Sequence, residues 1–178
     1  MSADRPHVLI VVGSRHGATR EISGVLAQRL VTHGASVTVS TPEDCHEIDA
    51  DAVVIGSGVY YGRWLKSAQH FVDTHAAELC RRPVWLFSSG PLGDPTETDL
   101  EGSDAGIEPD VVARLVTQTN ARAHHVFAGR LDRDDLGPLE KLVAAGIHAP
   151  VGDFRDWQDV EAWADEIGVA LCGVDSAG

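Results

Sequence analysis

The sequence predicts an α/β domain of three layers, with a doubly wound, five-stranded parallel sheet between two layers of helices. Three observations carry that expectation. The runs Val8-Leu9-Ile10-Val11-Val12, Ala52-Val53-Val54-Ile55 and Val84-Trp85-Leu86-Phe87-Ser88 are apolar at almost every position, as in strands buried on both faces. Segments of helical period alternate with the strands, which gives parallel neighbours the crossovers they need. The three runs break at Gly13, at Gly56-Ser57-Gly58 and at Ser89-Gly90-Pro91, where strands hand over to loops.

The elements follow in order. After the first strand, Ile22, Val25, Leu26 and Leu30 recur at three- and four-residue steps and place one helical face over 19–33, with Gly34 as the stop. A second strand is expected over 35–39 and a third over 52–55. The next helix carries Leu65, Ala68, Phe71, Val72, His75 and Leu79, and Pro83 opens a fourth strand over 84–88. Residues 91–109, rich in Gly, Asp, Glu and Thr, read as a long acidic surface loop, an excursion from one domain that takes in the whole chain, 1–178. A third helix is expected over 110–120 with Val111, Val112, Leu115 and Val116 inward. A fifth strand follows over 124–128, then a short helix over 137–145 with Pro138 in its first turn. Asp156 reads as the N-cap of a last helix that turns Val160, Trp163, Ile167 and Leu171 to one side.

Bulk properties exclude several function classes. A formal charge of −13 repels phosphate backbones and anionic lipid surfaces, so no nucleic acid partner is expected. No apolar run approaches the roughly 18 residues that span a bilayer, so no integral membrane segment is expected. The polar opening Met1-Ser2-Ala3-Asp4-Arg5-Pro6 lacks the charged, apolar and small-residue series of a signal peptide, which points to a cytoplasmic protein. Cys45, Cys80 and Cys172 stand far apart without a C-x-x-C pair and read as reduced thiols. His124 and His125 would face opposite sides of a strand and so not share a metal. The acidic run Asp94, Glu97, Asp99, Glu101 and Asp104 lacks calcium-loop spacing. No metal site is expected, and no residue is assigned as catalytic acid or base.

In sheets of this kind ligands gather beyond the carboxyl ends of the strands, where the strand order switches. Three segments leave those ends: 13–19, 56–64 and 88–93. In the first, Ser14-Arg15-His16-Gly17-Ala18-Thr19 opens a helix, so N–H groups and the helix dipole converge on one small volume. Gly17 permits close backbone approach or positive φ, Ser14 and Thr19 bring hydroxyls, and Arg15 can add a charge-assisted contact. By spacing alone the segment serves equally as a plain strand-to-helix turn. It has neither the G-x-G-x-x-G of dinucleotide folds nor the G-K-S/T of nucleotide triphosphatases, which leaves a mononucleotide without a metal.

Ser14, Gly17 and Thr19 resemble the Thr/Ser-x-Thr-Gly-x-Thr phosphate loop of flavodoxins, with His16 where those proteins usually have Thr. The chain is more similar still to flavodoxin-like, menaquinone-dependent protoporphyrinogen dehydrogenases. Arg15 and Thr19-Arg20-Glu21-Ile22 carry that likeness, as do Val54-Ile55-Gly56-Ser57-Gly58-Val59-Tyr60-Tyr61-Gly62, Ala128-Gly129-Arg130-Leu131 and Asp156-Trp157. The resemblance implies a flavodoxin-like sheet order 2-1-3-4-5 and flavin mononucleotide (FMN) as cofactor. It places the phosphate on Ser14, Arg15, His16, Gly17, Ala18 and Thr19. The isoalloxazine ring would lie between Gly58, Val59, Tyr60, Tyr61 and Gly62 on one side and Ser88, Ser89, Gly90 and Gly93 on the other, with Tyr61 favoured over Tyr60 as the stacking residue. The implied partners are a quinone or a redox protein. Because the excursion at 91–109 is acidic where those relatives are basic, two alternatives stand beside a protoporphyrinogen/quinone-type enzyme: a soluble electron carrier, and a flavin-free interaction module.

Overall fold

Alternation along one strand divides the core in two. In β1 (His7–Gly13), every residue after His7 is buried. Val8, Ile10 and Val12 join one apolar cluster, and Leu9 and Val11 join another. Both faces of the central strand are therefore covered, which is why its sequence shows no polar face.

The computed structural model describes residues 5–60, 62–90, 109–131 and 152–173. After β1 come α1 (Ala18–Thr32), β2 (Ser36–Ser40), β3 (Ala52–Tyr60), β4 (Arg63–Trp64), α2 (Lys66–Leu79) and β5 (Val84–Gly90). They are followed by α3 (Pro109–Thr119), β6 (Ala123–Ala128), β7 (Arg130–Leu131), β8 (Gly152–Asp153) and a last helix, α4 (Trp157–Cys172). The main sheet runs β2-β1-β3-β5-β6 with every one of those pairings parallel. Counting only the five long strands, this is the expected order. The short β4 turns back antiparallel on β3, with Val59 opposite Trp64, and β7 pairs with β8 in a separate two-stranded ribbon.

On one face Ile22, Leu26 and Leu30 of α1 and Val160, Trp163, Ala164 and Ile167 of α4 bury against the sheet. Phe87, Phe127 and Trp163 meet there edge to face, with centroids 5.5 to 6.0 Å apart. On the other face lie Ala68, Phe71, Val72 and Leu79 of α2 and Leu115 of α3. Each fully buried Leu or Ile contributes about 1.5–3 kcal/mol by leaving water. A polar clamp closes the first face: Arg29 of α1 donates two hydrogen bonds, 2.7 and 2.9 Å, to Asp165 of α4, and His33 stands 2.7 Å from the same carboxylate.

Two strands are longer than the sequence suggests. The third was expected to stop at Ile55, yet β3 continues to Tyr60, and β5 continues through Ser89 to Gly90. Neighbouring backbone causes this: Gly56 pairs with Val12 and Phe87, Ser57 with Gly13 and Ser88, and Gly58 with Ser89. The segments expected as loops at 56–60 and 88–90 are thus sheet. Pro109, expected at the end of the acidic loop, is instead the first residue of α3, where it gives up no hydrogen bond. The rest of that loop, the helix expected over 137–145, Tyr61 and Gly93 lie outside the described residues.

Candidate functional site

The site is built first from the turn between β1 and α1. Gly17 is the N-cap of α1 in the left-handed conformation, φ 88° and ψ −19°, and no side chain caps the helix. The first intrahelical bond is donated by the Glu21 N–H to the Gly17 carbonyl, 3.0 Å. The N–H groups of Ala18, Thr19 and Arg20 therefore precede the ladder and lie at the positive end of the helix dipole. The Gly17 N–H donates to Ser14 Oγ at 3.1 Å, which closes the turn and leaves the Ser14 hydroxyl proton to point elsewhere. Nothing lies within 4 Å of where a Gly17 Cβ would stand, so φ and not crowding selects glycine. Thr19 is only 3% exposed.

The end of β3 folds onto this turn. The Arg15 N–H donates to the Tyr60 hydroxyl at 3.3 Å, the Arg15 guanidinium lies 5.0 Å from the Tyr60 ring centroid, and His16 meets that ring edge-on at 5.9 Å. Gly58 shares Tyr60's side of the strand. A Cβ there would stand 2.9 Å from Tyr60 Cε2 and 3.1 Å from Thr19 Oγ1, so the glycine is what lets ring and threonine close over it. The structure thus joins Ser14, Arg15, His16, Gly17, Thr19, Gly58 and Tyr60 in one surface. The Val59 side chain faces away, into the core cluster that contains Trp64, and brings only backbone to this side. Gly62, with φ 75°, precedes β4.

A second set lies beneath the carboxyl ends of β3 and β5. The Trp64 indole N–H donates to Ser88 Oγ at 2.7 Å, and Ser88 Oγ is 2.8 Å from His124 Nε2. Burial, followed by the neighbouring His125, pushes His124 down to about 4. His125 points to the other face, where it meets Asp159 at 2.9 Å. The two histidines are divided as their alternation requires. Ser57 Oγ accepts the Leu65 N–H at 3.0 Å, and Ser89 is buried beside Gly90 at the end of β5.

A third set braces the first turn of α1. The Arg155 side chain, 5% exposed, donates to Asp153 at 2.7 and 2.6 Å and to Glu21 at 2.5 Å, and its guanidinium lies 4.6 Å from the Trp157 ring centroid. Arg130 reaches Glu21 at 4.0 Å. The hydrogen bonds from Arg155 hold the Asp153 carboxyl below its ordinary range. Glu21, Arg130 and Trp157 belong to recognisable motifs, whereas Arg155, like the meeting of Trp64 and His124 on Ser88, carries no motif of its own. Charged and aromatic residues near the motifs were the only hint.

Elsewhere, a cavity of about 260 Å³ is lined by Arg81, Arg82, Arg122, Cys80, Pro83 and Asn120 at the amino-terminal ends of β5 and β6. It is remote from the turn. Its arginines follow the carboxyl ends of α2 and α3, whose dipoles attract cations. Among the described residues no cluster of three or more His, Cys, Asp or Glu side chains could hold a metal ion, and no helix is long and apolar enough to cross a membrane.

The profile of the flavodoxin domain family matches residues 9–156, from within β1 to the N-cap of α4. The chain belongs to that family. As a flavodoxin domain it shares 35% identity over 86 residues with the protein named protoporphyrinogen IX dehydrogenase [quinone] of Escherichia coli strain K12. That alignment takes in 45% of this chain and 46% of the relative, so the chain matches about half the relative's length. Among solved structures, a flavodoxin from the domain Archaea superposes with a TM-score of 0.62 at 15% identity, over 93% of this chain and 98% of that one. Rubredoxin oxygen:oxidoreductase from Desulfovibrio gigas gives a TM-score of 0.63 at 18% identity, over 97% of this flavodoxin domain and 38% of the larger chain. At those identities the likeness is one of fold.

Proposed function

We propose that this flavodoxin domain binds FMN and acts as an oxidoreductase, with a porphyrinogen-like donor and a quinone acceptor as the first candidate reaction. The observation that carries the cofactor assignment is the uncapped start of α1. Three N–H groups with no intrahelical acceptor and the left-handed Gly17 meet there, beside Thr19, in the arrangement that a phosphate needs. In this reading Ser14 and Thr19 donate hydroxyl hydrogen bonds to it, the N–H groups of Ala18 and Thr19 add two more, and Arg15 supplies positive charge at the rim.

FMN, when bound, supplies reversible one- and two-electron transfer. The chain's own part is to hold and shield it. Tyr60 is engaged with the turn, so Tyr61 is the aromatic assigned to the ring face, with Gly58, Val59 and Gly62 offering backbone contacts. Ser89, Gly90 and Gly93 are assigned to the opposite edge, where Ser88 brings only backbone because its side chain is buried against Trp64 and His124. An aromatic face suits a flat ring, and backbone donors at the ring's polar edge tune its affinity for electrons.

The substrate assignment draws on the partial match to the Escherichia coli dehydrogenase. The formal charge of −13 favours a second reading, in which the domain carries electrons between soluble proteins and presents an acidic docking face to basic partners. To separate them, FMN-loaded protein is reduced and its reoxidation by a soluble menaquinone analogue is followed, with turnover of protoporphyrinogen measured alongside exchange with a flavodoxin reductase. Porphyrinogen turnover is expected. Rapid exchange with the reductase and no porphyrinogen turnover would establish the carrier instead.

A further inference from the structure

Trp64, Ser88 and His124 form a polar line through a largely apolar layer. Trp64 is 2% exposed and Ser88 is fully buried, among Val59, Leu86 and Leu115. An indole N–H can only donate, so Ser88 Oγ accepts it, and the same oxygen hydrogen-bonds His124 Nε2 in a direction set by the histidine tautomer. Burial favours the neutral imidazole, and in its Nδ1–H tautomer Nε2 accepts the Ser88 proton.

The line also joins separate pieces of chain. Trp64 lies on β4 opposite Val59 of β3, Ser88 lies near the end of β5, and His124 lies on the outer strand β6. The next residue, Leu65, is held by its N–H to Ser57 Oγ, and the Trp64 carbonyl accepts from Gln69 Nε2 at 2.9 Å. Both legs of the hairpin 57–65 are therefore anchored, and Trp64 anchors it sideways to the sheet. The turn at 14–19 takes no part in these bonds. It meets β3 through Tyr60 and Gly58, on the opposite face.

We propose that Ser88 and His124 are positioning residues that lock the Trp64 hairpin to β5 and β6, and so set the spacing of the two walls that receive the flavin ring, independently of the phosphate cradle. This rests on the FMN reading given above. Ser88 and His124 act through Trp64, and the line orients the indole so that β4 cannot slide along β5. Apolar residues of similar volume would fill the same layer without fixing that position.

The test has two arms. In the first, without flavin, solvent exchange of the Trp64 indole N–H is followed by NMR in the unaltered protein and in Ser88→Ala, His124→Ala and His124→Gln. Slow exchange is expected in the unaltered protein. Ser88→Ala and His124→Ala should accelerate it about tenfold, the equivalent of one lost buried hydrogen bond, and His124→Gln, which keeps an acceptor, should largely restore it. Free exchange in the unaltered protein, or no change in Ser88→Ala, overturns the lock. In the second arm, FMN and riboflavin are titrated into the same proteins. Ser88→Ala should weaken both ligands by the same factor, about 5- to 10-fold, because the ring is common to both and the cradle is untouched. A loss confined to FMN, or none for either ligand, overturns the assignment to the ring walls. Failure of the unaltered protein to take up any flavin overturns the FMN reading instead, while the indole exchange still decides the lock.

Discussion

Arg155 and Glu21, separated by 134 residues of sequence, meet at 2.5 Å and tie the β7–β8 ribbon to the first turn of α1. The guanidinium is nearly buried, while Glu21 and Asp153 are half-exposed, so solvent regains much of the carboxylate charge if the arginine is removed. Arg155→Met is expected to cost about 1–2 kcal/mol in urea denaturation, less than a fully buried pair would. The same variant should weaken FMN binding, because Glu21 lies two residues beyond the N–H groups assigned to phosphate. Unchanged stability and unchanged binding would show that Arg155 braces neither the fold nor the turn.

Stability toward acid depends on the clamp between α1 and α4. Hydrogen bonds from Arg29, then from His33, hold Asp165 well below the ordinary carboxylate range. A carboxyl depressed on folding lends stability above its unfolded value, near 4, and loses it as pH falls toward its folded value. Asp165→Asn should therefore be less stable than the unaltered protein at pH 7, and the difference should shrink below about pH 4. Denaturation curves at several pH values check this.

His124 acts in a different window. Its folded value of about 4 lies below the unfolded value near 6.5, so the unfolded chain binds the extra proton first. Stability from this group is complete above about pH 6.5 and declines as pH falls toward 4. His124→Gln, which cannot titrate, should flatten that decline by about 1–2 kcal/mol after allowance for partial solvent screening. An unchanged slope between pH 6.5 and 4 would show that His124 is not held neutral.

Much of this architecture is legible in the residues themselves. The run from Val8 to Val12 is apolar throughout because both of its faces are buried, and Ile22, Leu26 and Leu30 announce one face of α1 by spacing alone. Glycine and serine misled at the end of β3. Gly56, Ser57 and Gly58 have the composition of a loop, yet β1 and β5 on either side supply pairing that outweighs weak local preference. The turn at 14–19 could be located by its place after the first strand. Its contact with Tyr60 could not, because it spans 45 residues of sequence. The Trp64–Ser88–His124 line was invisible for the same reason: each member has an ordinary neighbourhood, and only the sheet order brings them together.

Gly17 gives the sharpest substitution at the cradle. A branched residue at φ 88° is strained by more than the roughly 1–2 kcal/mol that any L side chain incurs there, and the turn would relax out of its present shape. Gly17→Val should weaken FMN on the order of 100-fold and riboflavin only a few-fold, measured by fluorescence quenching. Equal losses for both ligands would show that the phosphate lies elsewhere.

Paired calorimetric titrations of the unaltered protein with FMN and with riboflavin isolate the part that the start of α1 takes in holding a phosphate. Two or more charge-assisted hydrogen bonds to the phosphate predict FMN binding about 100-fold tighter than riboflavin, with one site per chain. Equal affinity for the two ligands, or no binding of either, would show that the start of α1 is no phosphate cradle.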